Sequence, residues 1–226
     1  MNTRETVFAS IRRALGVTGD EAPRVRAVAD RLSGHPAGVV PARGQLPDKE
    51  RAELFRRMAE LASASVETIA DAADVPAAIA AFLRQHNLPM QVRRGDDQRL
   101  AALPWERAAM LEVTSGVSDG HQLASVSHAL AAVAETGTLV LASGPDNPTT
   151  LNFLPDNHIV VVDARDLAGD FEAVWTRLRE KYGEGLMPRA VNMITGPSRS
   201  ADIEQTLILG AHGPRRLHVI VVGQPE

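Results

Sequence analysis

The chain has no cysteine among its 226 residues. That excludes disulfides, thiolate nucleophiles and Cys-ligated zinc, and the chain cannot itself supply the thiolates that normally hold an iron–sulfur cluster. Aromatic residues make up only 4%, which leaves little material for the stacking platforms that bind single-stranded nucleic acid. A basic excess is missing as well, since the formal net charge is -4. Nucleic-acid binders normally present a basic face, so no nucleic-acid partner is expected. No apolar run approaches the roughly 20 residues that cross a bilayer, so no membrane span is expected. The N-terminus carries Arg4, Arg12 and Arg13 without the continuous apolar stretch of a secretory signal, and a cytoplasmic location follows most simply.

Local signatures of several enzyme classes are also missing. There is no G-x-G-x-x-G, no P-loop lysine and no G-x-S-x-G, so dinucleotide, nucleotide and hydrolase readings lack their motif. His121 and His128 lie near Asp119 but without His-x-x-x-His spacing, and His158 and His218 stand alone. No metal site is expected.

What is present is alternation of helical and strand patterns. Val7, Phe8, Ile11 and Leu15 recur at helical spacing and Gly16 can end that helix. Residues 17–47 are rich in Pro, Gly and Ala and read as a linker, so residues 1–47 form an N-terminal helix and Pro/Gly-rich arm. Asp48 is placed to cap a helix carrying Leu54, Phe55, Met58 and Leu61, and Asp74 a second one carrying Ile79, Phe82 and Leu83. Residues 66–70, 138–142, 159–162, 190–194 and 217–222 read as strands, and 171–181 as a helix. Continuous apolar strands separated by helices predict an α/β domain over 48–226, with a mainly parallel sheet covered by helices.

Three segments could carry chemistry. Ile194–Glu204 reads I-T-G-P-S-R-S-A-D-I-E, an apolar run followed by a turn and then a segment able to restart as a helix. Such a turn can hold an anion on unpaired N–H groups, with Thr195, Gly196, Ser198, Arg199 and Ser200 as ligand-binding residues. It can equally be a plain helix cap. Ala134–Thr138 reads A-E-T-G-T, in which Gly137 permits a sharp turn beside Thr136 and Thr138. Glu135 could be an acid/base or nucleophile there. Alternatively it is a solvated residue ending a helical stretch over 124–134. Gly210–Pro214 reads G-A-H-G-P, where His212 could carry a proton or contact an anion beside Gly213, or be a loop residue with no task.

In order and spacing these segments resemble the lactate utilization (LUD) domain family. The likeness rests on A-E-T-G-T-L-V-L at 134–141, N-H-I-V-V-V at 157–162, the motif at 194–204, and G-A-H-G-P-R-R-L-H-V-I-V-V at 210–222. It implies a fold like the ribose-5-phosphate isomerase, glucosamine-phosphate deaminase and CoA-transferase group. It also implies a role in oxidising L-lactate to pyruvate beside iron–sulfur partner proteins. Larger relatives append cysteine-rich segments, so here the clusters would sit only on partner subunits and this chain would bind no cofactor. The chain would bind a small carboxylate or phosphate in one polar cleft at the carboxyl rim of the strands, or support assembly of the system. The alternative is a stand-alone enzyme acting through Glu135 on a phosphosugar, CoA thioester or other small anion. Assembly into a homo-oligomer is left open.

Overall fold

In the computed structural model, the described residues are 2–183, 185–200, 208–210 and 212–223, with the side chains of 208 and 209 set aside. They fall into two units, Met1–Val39 and Val40–Glu226. The first unit holds two helices, α1 (Thr3–Leu15) and α2 (Ala22–Gly34). Asn2 and Glu5 form a reciprocal capping box at the start of α1, and Gly16 ends it at φ 63°. α2 has Pro23 in its first turn and repeats Val25, Val28 and Leu32 at helical spacing. The expected linker over 17–47 is therefore helical across part of its length. Its Ala and Arg content outweighs the flanking Pro and Gly. Neither helix has a buried residue. Helices shorter than about 12–15 residues are marginal in water, so these rest on their caps and local pairs. Arg4 and Arg12 flank the Phe8 ring at 5.0 and 5.9 Å.

In the second unit, α3 (Asp48–Leu61) is followed by β1 (Ser65–Ile69), α4 (Val75–Gln85), β2 (Gln91–Arg94), α5 (Gln98–Ala101), β3 (Glu112–Ser115) and β4 (Ala124–His128). Next come β5 (Ala131–Val133), β6 (Thr138–Ala142), α6 (Thr149–Phe153), β7 (Asn157–Asp163), β8 (Leu167–Ala168) and α7 (Phe171–Tyr182). β9 (Val191–Ile194), β10 (Arg199–Ser200), β11 (Ile208–Leu209) and β12 (Arg216–Val222) complete the order. Residues 40–47 pack within this unit, where Gln45 donates to Asp170 at 2.7 Å. Asp48 is the first helical residue of α3 and not its cap, and Leu61 remains 70% exposed.

Six parallel strands form the main sheet in the order β1-β12-β7-β4-β2-β3. The expected mainly parallel, helix-covered sheet is thus present. A second, four-stranded sheet in the order β8-β5-β6-β9 is mixed, because β6 runs antiparallel to both neighbours. Side-chain alternation sorts the layers. Ile159, Val161, Ile220 and Val222 pack against α4, while Val160, Val162, Val219 and Val221 pack against Leu139 and Leu141 of the second sheet. The outer face of that sheet covers Val174 and Leu178 of α7. Residues 124–128 and 131–133 are strands rather than part of the expected helix over 124–134. All five residues of β4 are buried between β2 and β7, and burial on both faces erases the alternation that marks a strand.

Two glycines let loops approach α3. A Cβ on Gly137 (φ +67°) would lie 2.4 Å from the Ala59 nitrogen, and one on Gly196 (φ +74°) would lie 2.0 Å from the Ala62 oxygen. Left-handed strain and forced overpacking each cost about 1–3 kcal/mol. We expect Gly137→Ala to lose about 2–5 kcal/mol by urea denaturation. Gly120→Ala should lose only about 1–2 kcal/mol, since Gly120 has positive φ with nothing within 4 Å. Equal losses would mean that contact with α3 contributes nothing.

Candidate functional site

The T-G-P-S-R segment leaves β9 and is zipped to the G-A-H-G-P segment that precedes β12. Ser198 donates its backbone N–H to Pro214 at 2.8 Å, and Gly210 donates to the Ser198 carbonyl at 2.9 Å. Gly213 keeps the seam narrow, since a Cβ there would sit 3.2 Å from Ser198 Cβ. Arg199 and Ser200 form β10 and pair with β11, so the turn leads into a strand. The helix expected to restart after it falls on 201–207, outside the described residues. Arg199 Nη2 donates to the carbonyl of Ala62 at the C-terminal end of α3. Cations belong at that end of a helix.

These two loops enclose a cavity of about 280 Å³ with Asn152, Phe153, His158 and Leu217. Gly196, Ser198, Arg199, His212 and Gly213 all line it. Three buried polar side chains meet at its inner wall. His158 Nε2 lies 3.0 Å from Ser127 Oγ, and Ser127 Oγ donates to Asn152 Oδ1 at 3.2 Å. Ser127 has one proton and the amide oxygen can only accept it, so His158 must be protonated at Nε2. Its Nδ1 is then a bare acceptor. That nitrogen and Asn152 Nδ2 have no hydrogen-bond partner among the described residues, although His158 is 0% and Asn152 1% exposed. Unpartnered buried polar atoms cost about 1–3 kcal/mol each and call for an explanation such as a ligand. Burial pushes His158 down to about 3, which keeps the imidazole neutral. The pair Asn152–His158 was missed in the sequence. Only their later convergence with Ser127 distinguishes them from ordinary buried residues.

Glu135 is not in this cavity. It is 4% exposed at the β5–β6 turn, with Arg43 Nε 3.4 Å from its carboxylate. The solvated-residue reading fails for the same reason. Thr136, Thr138 and Thr195 form a hydroxyl chain with two 2.7 Å links. That chain ties the A-E-T-G-T turn to the T-G-P-S-R turn, with Gly137 seated on α3. Ser200 is buried at 7% and does not line the cavity. The cleft expected at the carboxyl rim is also displaced. His158 and Leu217 stand near the starts of β7 and β12, so the cavity opens at the amino edge of the main sheet.

The carboxyl edge carries a smaller cavity of about 200 Å³ lined by Arg99, His128, Asp163 and Arg165 among others. Here the polar groups largely satisfy each other. Arg99 clamps Asp97 at 2.7 and 3.1 Å. Burial alone would raise the Asp97 carboxyl, but these bonds hold it below its usual range. Among the described residues no group of three or more His, Asp or Glu is placed to hold a metal. Nor is any helix among them long and apolar enough to cross a membrane.

Residues 52–222 match the LUD domain, and the chain belongs to that family. It is 40% identical over 91 residues to Lactate utilization protein C of a Geobacillus species, covering 40% of this chain and 38% of that one. An uncharacterized protein of Neisseria meningitidis serogroup B is 40% identical over 99 residues, covering 44% and 42%. The match therefore spans about two-fifths of the length of these relatives. A crystal structure of a DUF162 family protein from Deinococcus radiodurans superposes with TM-score 0.57 at 26% identity, covering 79% of this chain and 99% of that one.

Burial also pushes His218 down, to about 4. Both imidazoles regain an ordinary value near 6.5 when the chain unfolds. Below that pH the unfolded state binds protons that the folded state refuses. Stability therefore falls as pH drops from about 6.5 toward 4, by about 1.4 kcal/mol per pH unit for each histidine. We expect urea denaturation to give about 2–3 kcal/mol less at pH 5.5 than at pH 7.5. His158→Gln should remove about half of that loss. An unchanged pH dependence in the variant would show that His158 is not held neutral.

Proposed function

We propose that this chain is the small-carboxylate-binding component of an L-lactate-oxidising system, located in the cytoplasm. Its electron carriers would be iron–sulfur clusters on partner subunits. Membership of the LUD family and the likeness to a protein named for lactate utilization support the role. The observation that carries the ligand class is a pair of unpartnered atoms on two residues that line the cavity, one donor on Asn152 and one acceptor on His158. A 2-hydroxy acid matches that pair. Its hydroxyl donates to His158 Nδ1 and a carboxylate oxygen accepts from Asn152 Nδ2. The remaining carboxylate oxygen takes a hydrogen bond from Ser198 or from another guanidinium nitrogen of Arg199.

Oxidation of lactate to pyruvate releases two protons and two electrons. In this reading Asn152 and the neutral His158 hold and orient the acid, both electrons pass to the partner subunits, and both protons pass to water. The cavity, at about 280 Å³, is at the lower limit of small-molecule sites and suits a three-carbon acid. Glu135 has no part in this reading, because it faces Arg43.

Calorimetry with L-lactate and pyruvate should show saturable binding. Arg199→Ala and Asn152→Ala should each weaken it by about 1.5–3 kcal/mol, the value of a hydrogen bond to a charged group. Cells lacking the protein should fail to grow on L-lactate, and the Arg199 variant should restore growth poorly. Normal lactate oxidation without the protein would rule out the assignment. Unaltered binding in both variants would move the ligand out of this cavity.

A further inference from the structure

A second and larger cavity, about 540 Å³, opens at the same amino edge on the opposite face of the main sheet. The register explains the division. Leu217 and Val219 face the second sheet, whereas His218 and Ile220 face α4. We propose that this cleft, between the starts of β1 and β12 and the end of α4, is a binding site for a phosphate group. It is separate from the cavity that holds His158.

Its polar wall is made by Ser63, Ser65, Gln85, His86, Arg215 and Arg216, and no carboxylate lines it. That departs from the rest of the chain, whose net charge is -4. Arg56, Arg99 and Arg177 each lie against Asp or Glu. Arg215 and Arg216 make no ion pair among the described residues, and Arg216 reaches only the Asn157 amide oxygen at 3.2 Å. Burial, and then Arg216, hold His86 below its ordinary value, and burial holds His218 there as well, so both imidazoles are neutral and the charge of the cleft is that of its two arginines.

His218, 6% exposed, closes the wall: its Nδ1 lies 2.8 Å from Ser65 Oγ, and its Nε2 faces the Glu67 carboxylate at 3.6 Å, outside the cavity lining. Two guanidinium forks, two hydroxyls and an amide exceed what the two oxygens of a carboxylate can satisfy. A phosphate presents three or four oxygens and two charges, and matches the set. Phe82 supplies an apolar margin, which gives an ester's organic part a place beside the phosphate.

Calorimetry on the full chain, with inorganic phosphate and glycerol 3-phosphate as separate probes, tests the proposal. At least one should bind saturably. Tighter binding of inorganic phosphate identifies a free-phosphate site, and tighter binding of the ester a phosphate-ester site. Arg215 is exposed, so Arg215→Glu should fold normally and raise Kd at least tenfold. Arg199→Ala, in the other cavity, should leave Kd within twofold. The proposal is overturned if neither probe saturates, if Arg215→Glu binds as wild type, or if the loss follows Arg199→Ala instead.

Discussion

The seven-residue parallel ladder between β7 and β12 decides where every functional side chain points. Arg216 pairs with Asn157 and each later residue follows in step to Val222 and Asp163. Because side chains alternate, a slip of one residue would exchange the two faces of either strand. The observed register sends His158 and Leu217 toward the second sheet and His218 toward α4. Two histidines near the starts of neighbouring strands thereby serve two different cavities. Val160, Val162, Val219 and Val221 on one face, and Ile159, Val161 and Ile220 on the other, resist any slip because each is almost fully buried.

Against this sheet, the glycine- and hydroxyl-rich turns of the sequence act mainly as joints. Gly137 and Gly196 sit on the backbone of α3 at distances that admit no side chain, and the Thr136–Thr138–Thr195 hydroxyls link the two turns. Arg199 completes the junction by bonding to Ala62 while its remaining nitrogens stay beside the cavity. One motif thus closes a helix end and lines a pocket together. Cap and ligand-site readings of the T-G-P-S-R turn describe the same atoms.

The neutral state of His158 follows from its setting. No carboxylate is near enough to offset the cost of burying its charge, and burial is the sole cause of its low value. A neutral imidazole whose Nε2 proton is committed to Ser127 leaves a directed lone pair on Nδ1. Asn152, fixed through Oδ1, leaves donors free. The three residues come from β7, β4 and α6, so the donor–acceptor pair is an outcome of assembly rather than of any local motif.

Much was decided by the chain alone. Apolar runs at 138–142, 159–162 and 217–222 mark buried strands because only a covered sheet tolerates them, and the Ile79–Phe82–Leu83 stripe marks α4. The grouping of Gly196, Ser198, Arg199, His212 and Gly213 was readable from motif chemistry, since loops of Gly, Pro and hydroxyl residues beside strands shape pockets. Tertiary structure decided the rest. Residues 124–128 and 131–133 have no periodicity when both faces are buried, so they read as helix and fold as strands. Glu135 is a promising carboxylate in sequence, yet packing turns it to Arg43 and away from the cavity. The choice of the amino edge, and the meeting of Asn152, Ser127 and His158, depend on strand order and register, which long-range pairing sets and local residue preference does not encode.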